Sequence, residues 1–228
     1  MNRMKYKGII FDLDGTIGDT MGDVVPSMNS TLRKYGYPER SREEIISFIN
    51  NGAMNLVRRS LPDYVDKTDE RLLKEFFRLY HDTYCSHCCE LTSAYDGMSE
   101  LLERLKNEGI KLAVLSNKQH RQTVMVTEYL YGSDMFEIII GQGEFQIKPD
   151  PAAPLHIAKL FGLLPSDMAL VGDSNVDMET GINAGMTPIG VLWGYRNRDV
   201  IEEAGAAAIA ADPKELGRLL GLSIDNKW

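Results

Sequence analysis

The sequence predicts an α/β protein: a parallel sheet covered by helices, with an all-helical segment inserted behind the first strand. Three observations point there. Short apolar runs recur at 8–13, 111–116, 137–141, 168–172, 187–193 and 206–210, with Gly, Asn, Asp or Pro in their flanks, as suits buried parallel strands. Helix-length patterns fill the intervals between the later runs, and that alternation implies right-handed crossovers. Between residues 21 and 90 the rhythm lapses, and nothing there has the pattern of a strand.

Taken in order, the first run begins Gly8-Ile9-Ile10-Phe11 and passes directly into Asp12-Leu13-Asp14-Gly15-Thr16. A buried carboxylate is costly unless it is paired or bound to a metal, so a strand ending in two of them suggests chemistry. The inserted segment predicts helices at 23–35, 41–49, 53–61 and 69–84, punctuated by Pro38, Gly52 and Pro62. Ser41-Arg42-Glu43-Glu44 has the spacing of a capping box. Further helices are expected at 97–108, 119–131, 151–161, 176–184 and 199–204, with Gly109 and Gly162 as C-terminal stops. The domain division that follows is a core of residues 1–20 and 91–228 and a helical unit of 21–90.

Composition narrows the function. Hydrophobic residues make up 43% and charged residues 25%, the mix of a globular protein with a core. The net charge of -8 leaves no basic stripe for nucleic acid, whereas a small phosphate ester needs only a local cation. The basic residues 1–7 lack the apolar segment of a secretory signal, and no run approaches a membrane span. A cytoplasmic protein without a membrane partner is expected, which makes the Asn29-Ser30-Thr31 sequon a coincidence. Cys85, Cys88 and Cys89, bunched beside His81 and His87, fit reduced thiols near a helix end. A zinc site and a Cys85-Ser86-His87-Cys88 redox motif are the alternatives.

Four polar clusters stand at or beyond the expected strand ends. They are Asp12, Asp14 and Thr16; Ser116-Asn117-Lys118; Lys148-Pro149; and Gly172-Asp173-Ser174 with Asp177. Ligands of open α/β sheets bind outside the carboxyl ends of strands, so these clusters can meet at one site. Phosphoryl transfer needs such a set: an anionic nucleophile, and a metal ion and lysine to offset its repulsion from phosphate. A hydroxyl can donate to the phosphate, and a second carboxyl group can protonate the leaving oxygen and then activate water. Mg2+ takes oxygen ligands, which Asp12 and Asp173 can supply. Singly, each cluster has a plainer reading. Asp12 and Asp14 can cap a turn, Ser116, Asn117 and Asp173 can cap helices, and Lys148 can lie in solvent.

Together, Asp12-Leu13-Asp14-Gly15-Thr16, Ser116-Asn117, Lys148-Pro149 and Gly172-Asp173-Ser174 with Asp177 resemble the haloacid-dehalogenase-like superfamily of hydrolases, over nearly the whole chain. The helical insertion is similar to that family's C1 cap on a Rossmann-like core. Asn51-Gly52-Ala53 with Leu56 and Arg59-Ser60-Leu61, Tyr95-Asp96-Gly97, and Gly194-Tyr195-Arg196 resemble its phosphoglycolate phosphatase branch. The resemblance implies an Mg2+-dependent phosphomonoester hydrolase that forms an aspartyl-phosphate. Its substrate would be a small phosphorylated metabolite, phosphoglycolate first, and the enzyme a monomer or homodimer. Asp12 would be the nucleophile, Asp14 the acid and base, and Lys148 a catalytic cation. Gly15, Thr16, Ser116, Asn117 and Lys148 would bind phosphate. Asp12, Asp173 and the backbone carbonyl of Asp14 would hold the metal, while Asp177 orients Lys148 or a metal-bound water.

Asn51, Gly52 and Arg59 are the expected specificity residues, with Arg58 and Lys118 as the further candidates. The guanidinium of Arg59 suits a carboxylate or a second phosphate. Two residues near the cap junction depart from the branch: Asn50, where glycine is common, and Gly18, where a bulkier apolar residue is usual. An inorganic pyrophosphatase and a sugar-phosphate phosphatase or mutase remain alternatives, with Thr16 favouring a phosphatase over a mutase. The alternative from another class is a receiver-like module that only accepts a phosphoryl group and has no helical cap.

Overall fold

The computed structural model describes residues 4–49 and 51–223, so the departure at Asn50 lies outside the described residues, as do residues 1–3 of the basic start. The chain begins with β1 (Gly8–Phe11) and β2 (Gly18–Asp19). Four helices follow: α1 (Met21–Lys34), α2 (Arg42–Phe48), α3 (Ala53–Ser60) and α4 (Glu70–His87). Next come β3 (Ser93–Ala94), α5 (Met98–Asn107), β4 (Lys111–Gln119), α6 (His120–Tyr131), β5 (Ile138–Gln142) and α7 (Ala152–Phe161). The chain continues through β6 (Met168–Gly172), α8 (Asn175–Asn183), β7 (Thr187–Val191), α9 (Arg198–Glu203), β8 (Ala208–Ala210) and α10 (Pro213–Leu220).

The expected strands form one six-stranded sheet, all parallel, in the order β5-β4-β1-β6-β7-β8. Because side chains alternate along a strand, each strand feeds both faces. Ile9, Phe11, Leu112, Val114, Ala169 and Val171 join the larger core, with residues of α1 to α5 and α10. Ile10, Ala113, Leu115 and Leu170 join the smaller one, against Ala153, Ile157 and Phe161 of α7. Burial on both faces explains why these strands are apolar at consecutive positions.

Gly109 and Gly162 end α5 and α7 with φ of +77° and +66°, the left-handed values that favour glycine, as expected. The Ser41–Glu44 capping box forms at the start of α2. Two features were not expected. α10 has an Asp212 cap, Pro213 in its first turn and Gly221 past its end, signals the sequence carries in plain form. The short β2–β3 ribbon pairs Gly18 with Ala94 and Asp19 with Ser93, where the chain leaves the sheet for α1 and returns from α4. There the smallness of Gly18 has a cause, since a Cβ would come within 2.9 Å of Leu130 Cδ1.

The helices between Met21 and His87 share their own contacts. Tyr35 and Phe76 join α1 and α4, their ring centroids 5.0 Å apart. The guanidinium of Arg40 donates to Ser60 O and Leu61 O at 2.9 and 3.1 Å. The Asn29 side chain is buried and exchanges two hydrogen bonds with the Arg40 backbone, so the sequon is closed to modification in the fold. Asp23 of α1 accepts from Leu91 N, Thr92 N and Thr92 Oγ1, which anchors the returning chain. The three cysteines are free thiols, as expected, and among the described residues they belong to no cluster with metal-site spacing.

Candidate active site

The strand order places the site. From β1 the chain builds β4 and β5 on one side, then crosses to β6 on the other. The carboxyl ends of β1 and β6 therefore flank the point where the winding reverses, the usual ligand crevice of such sheets. Asp12 directly follows β1, and its N–H donates to Val171 O at 2.9 Å. Asp173 directly follows β6 and is fully buried.

Lys148 enters from the loop between β5 and α7. Its Nζ lies 2.8 Å from Asp12 Oδ1 and 2.6 Å from Asp177 Oδ1. The second contact is an aligned hydrogen bond; the first is an ion pair that leaves Asp12 Oδ1 without an aligned donor. The Asn117 amide clamps this loop, donating to Lys148 O at 3.0 Å and accepting from Lys148 N at 2.7 Å. Its side chain is thus spent on positioning the lysine, a different use from the phosphate contact implied by the resemblance. The plainer reading of Lys148 as a solvated lysine fails, since it is 5% exposed.

Carboxylate oxygens of Asp12, Asp173 and Asp177 lie within 4.8 Å of one another. Asp177 is engaged through both oxygens: Oδ1 accepts from Lys148, and Oδ2 accepts from Ser174 N and Ser174 Oγ. Asp173 does not cap α8; Ser174 does, with Asp177 completing a capping box. Asp173 Oδ2 accepts from Tyr195 N at 2.6 Å, whereas Oδ1 is buried without a partner. Three carboxylates face one ammonium, and two carboxylate oxygens lack an aligned donor. That donor set fits a divalent cation that prefers oxygen ligands. The packing leaves no slack: a Cβ on Gly194 would lie 2.3 Å from Asp173 Cβ and from Gly15 O.

Burial dominates the electrostatics. It pushes the Asp12 carboxyl up to about 7, with the Lys148 ammonium opposing. Burial also holds Asp173 well above the usual carboxylate range, and the neighbouring Asp177 and Asp12 add to this. Burial alone would favour neutral Lys148, but Asp12 and Asp177 outweigh it and keep the ammonium charged.

β4 runs to Gln119, past an irregularity after Leu115, so Ser116, Asn117 and Lys118 lie on a strand extension and do not cap α6. Ser116 is buried beside the pocket, and the Thr16 hydroxyl is buried with no partner. Asp14 stands apart from the three-carboxylate cluster. Its Oδ1 accepts from Thr20 Oγ1 at 2.5 Å and from Lys118 Nζ at 2.7 Å.

A pocket lies between these groups and the helices that follow β2; its empty space, including the part open to solvent, is about 590 Å³. Asp12, Asp14, Ser116 and Lys148 form its polar side, and Ile49, Leu56 and Tyr80 line it from the helical segment. Gly52 lines it too, at the start of α3. Asn51 and Arg59 are not among its lining residues. Arg59 is exposed, with Nη1 3.5 Å from Ser47 O, while Arg58 contacts Asn55 and Glu70. The specificity role of Arg59 therefore has no support in the geometry. Three further residues gather here that carry no expected role in the sequence reading. Besides its Asp173 contact, Tyr195 accepts from Thr20 N and donates to Asp19 Oδ1, each at 3.0 Å. Trp193 Nε1 donates to Thr16 O at 2.9 Å, and Arg196 Nη1 donates to Ile46 O at 2.9 Å. Their signal is the polar run after β7, which by sequence alone marks only the branch.

The model of the haloacid dehalogenase-like hydrolases matches residues 9–191, from β1 through β7. The chain belongs to the haloacid dehalogenase-like hydrolase family. It is 36% identical over 200 residues to a phosphoglycolate phosphatase of Mannheimia succiniciproducens, covering 84% of this chain and 88% of the relative. With the phosphoglycolate phosphatase of Haemophilus influenzae it shares 32% identity over 225 residues, 95% of this chain and 99% of the relative. The crystal structure of a predicted phosphoglycolate phosphatase from Haemophilus somnus superposes with a TM-score of 0.87 at 29% identity, covering 94% and 98% of the two chains. This haloacid dehalogenase-like hydrolase is a phosphatase. A receiver-like module is excluded with it. Among the described residues, no helix is long and apolar enough to cross a membrane.

Proposed function

We propose that this phosphatase is an Mg2+-dependent phosphomonoesterase that forms an aspartyl-phosphate on Asp12 and acts on a small anionic ester, phosphoglycolate first. The observation that carries the proposal is Asp12 itself. It is a buried carboxylate at the switch point, ion-paired to Lys148, and it lies beside Asp173, whose Oδ1 has no partner. The substrate class rests on the relatives' activity and on a pocket whose polar side faces apolar helices.

Asp12 and Asp173, with the backbone carbonyl of Asp14, would hold the cation. When bound, Mg2+ would draw negative charge from the phosphoryl oxygens and lower their repulsion of Asp12. Asp12 attacks phosphorus in line with the ester oxygen, and the phosphorus–ester bond breaks as the acyl phosphate forms. Lys148 offsets charge on the attacking carboxylate and the phosphoryl group. Ser116 and Thr16 supply hydroxyl donors, and Thr16 has one unused. Asp14 gives its proton to the leaving oxygen, then takes one from the water that attacks the acyl phosphate and frees inorganic phosphate and Asp12. Asn117 and Asp177 bind no reacting atom in this scheme; they set the position of Lys148.

We assign residues 21–90 as a cap over the sheet core of 1–20 and 91–228, with the β2–β3 ribbon as their junction. Closing it keeps bulk water away while Asp12 attacks and leaves only the water activated by Asp14 to reach the acyl phosphate. The test is phosphate release from phosphoglycolate, pyrophosphate, sugar phosphates and nucleotides, with Mg2+ and with a chelator. Fastest turnover of phosphoglycolate, lost with the chelator, supports the proposal, as does a phosphorylated Asp12 peptide after acid quench. Preference for pyrophosphate overturns the substrate, and chelator-resistant turnover overturns the metal.

A further inference from the structure

We infer that Lys118 binds the non-reacting anionic end of the substrate, a carboxylate close to the ester oxygen, and so sets the preference for acidic phosphate esters. The inference rests on the substrate class proposed above. Among the described residues, only two basic side chains line the pocket, Lys148 and Lys118. Lys148 is held between Asp12 and Asp177 and serves the reacting phosphoryl group.

Lys118 is placed differently. Its side chain is 8% exposed, and Nζ sits 2.7 Å from Asp14 Oδ1 and 4.7 Å from the centroid of the Tyr84 ring. An ammonium carries three donors, and Asp14 takes one. Among the described residues, the facing wall, including Ile49, Leu56 and Tyr80, supplies no positive charge. In such a low-dielectric recess a cation attracts an anion far more strongly than at the surface. Two nearby arginines are committed elsewhere: Arg58 to Asn55 and Glu70, and Arg196 to Ile46 O.

Position adds a length requirement. Lys118 N donates to Ser116 Oγ at 3.2 Å, so both residues are fixed on one strand extension. With phosphate at Ser116 and carboxylate at Lys118, that extension selects short substrates. Bulkier esters would meet the apolar helices instead.

Phosphonopropionate replaces the ester oxygen of phosphoglycolate with carbon and cannot be hydrolysed in the same way; propylphosphonate has the same length without the carboxylate. Titration calorimetry of the full chain with Mg2+ gives the affinity ratio of the two. Wild type should favour phosphonopropionate about ten- to a hundredfold, the worth of a charged hydrogen bond. Lys118→Met should bring the ratio to within about threefold, and Lys118→Arg should restore most of it. The kcat/KM ratio for phosphoglycolate over ethyl phosphate should move in parallel. Lys118→Gln provides the same comparison if the methionine variant loses its circular-dichroism signature. A wild-type preference that survives in Lys118→Met or Lys118→Gln overturns the role of Lys118 and leaves the substrate class standing. No preference in wild type overturns both.

Discussion

At the scale of single residues, burial and the Lys148 ammonium pull Asp12 in opposite directions. Burial lifts its folded-state pKa to about 7, while an unfolded aspartate titrates near about 3.9. The folded state thus keeps a proton that the unfolded chain releases. Stability from this group is fully present below about pH 4 and is lost as pH rises through about 7. Asp12→Asn removes that loss. Without Mg2+, the variant should match wild type near pH 4 and melt above it at pH 8, where about 1 kcal/mol is worth about 2–4 °C at this length. A variant melting below wild type at pH 8 would mean that the ion pair with Lys148 outweighs the burial cost. The same substitution should reduce turnover to background, because an amide has no anionic oxygen to attack phosphorus. Turnover within about tenfold of wild type would exclude the acyl phosphate. Removing the cation is the opposite experiment. Lys148→Met strands Asp12 and Asp177 in the interior and should cost about 3–5 kcal/mol at pH 8, less as the pH falls. Denaturant titrations at pH 5 and pH 8 measure the difference.

At the scale of elements, the β2–β3 ribbon links the two halves of the chemistry. Tyr195 touches Asp173 through its backbone N–H, and Thr20 and Asp19 of the ribbon region through its hydroxyl. Arg42 of α2 pairs with the same Asp19, at 3.1 Å. Tyr195→Phe cuts only the hydroxyl contacts. It should lower kcat about ten- to a hundredfold, since the hydrogen bond to the Asp19 carboxylate is worth about 1.5–3 kcal/mol. The Mg2+ dependence should stay as in wild type, because the Asp173 contact is made by backbone. An Mg2+ titration that shifts with kcat would show that the hydroxyl supports the metal carboxylate and not the ribbon.

At the scale of the whole molecule, function depends on a strand order that brings residues 12 and 173 together. Each carboxylate ends a central strand whose burial on both faces keeps water away and raises the cost of an uncompensated charge. A cation bound there should therefore stabilise the entire fold. Mg2+ at a hundred times its Kd should add about 2.7 kcal/mol to wild type. Asp173→Asn should lose most of that increment, and its melting temperature should respond little to Mg2+. An equal Mg2+ response in both proteins would place the ion elsewhere. The measurement needs no substrate, so it separates metal binding from catalysis.

Much of the architecture is legible in the chain itself. Apolar runs at consecutive positions mark strands buried on both faces, because only parallel strands under helices on each side need that composition. Asp12, Asp14, Lys148 and Asp173 stand out because charged groups beside such runs must be compensated. The gap in strand rhythm between 21 and 90 announces the helical insertion. Other features depend on which segments meet in space. Sequence spacing does not reveal that β6 lies beside β1, that Asn117 grips the Lys148 backbone, or that Asp177 is engaged through both oxygens and Asp173 through one. Arg59 shows the limit from the other side: its residue type suits an acidic ligand, yet α3 turns it to solvent while Lys118 of β4 reaches the pocket. The sequence by itself determined the elements and the chemical repertoire, since these follow from local periodicity and the cost of burying charge. Only the tertiary structure decided which cation serves which anion, because a short-range contact between residues far apart in the chain exists only once the sheet has set their distance.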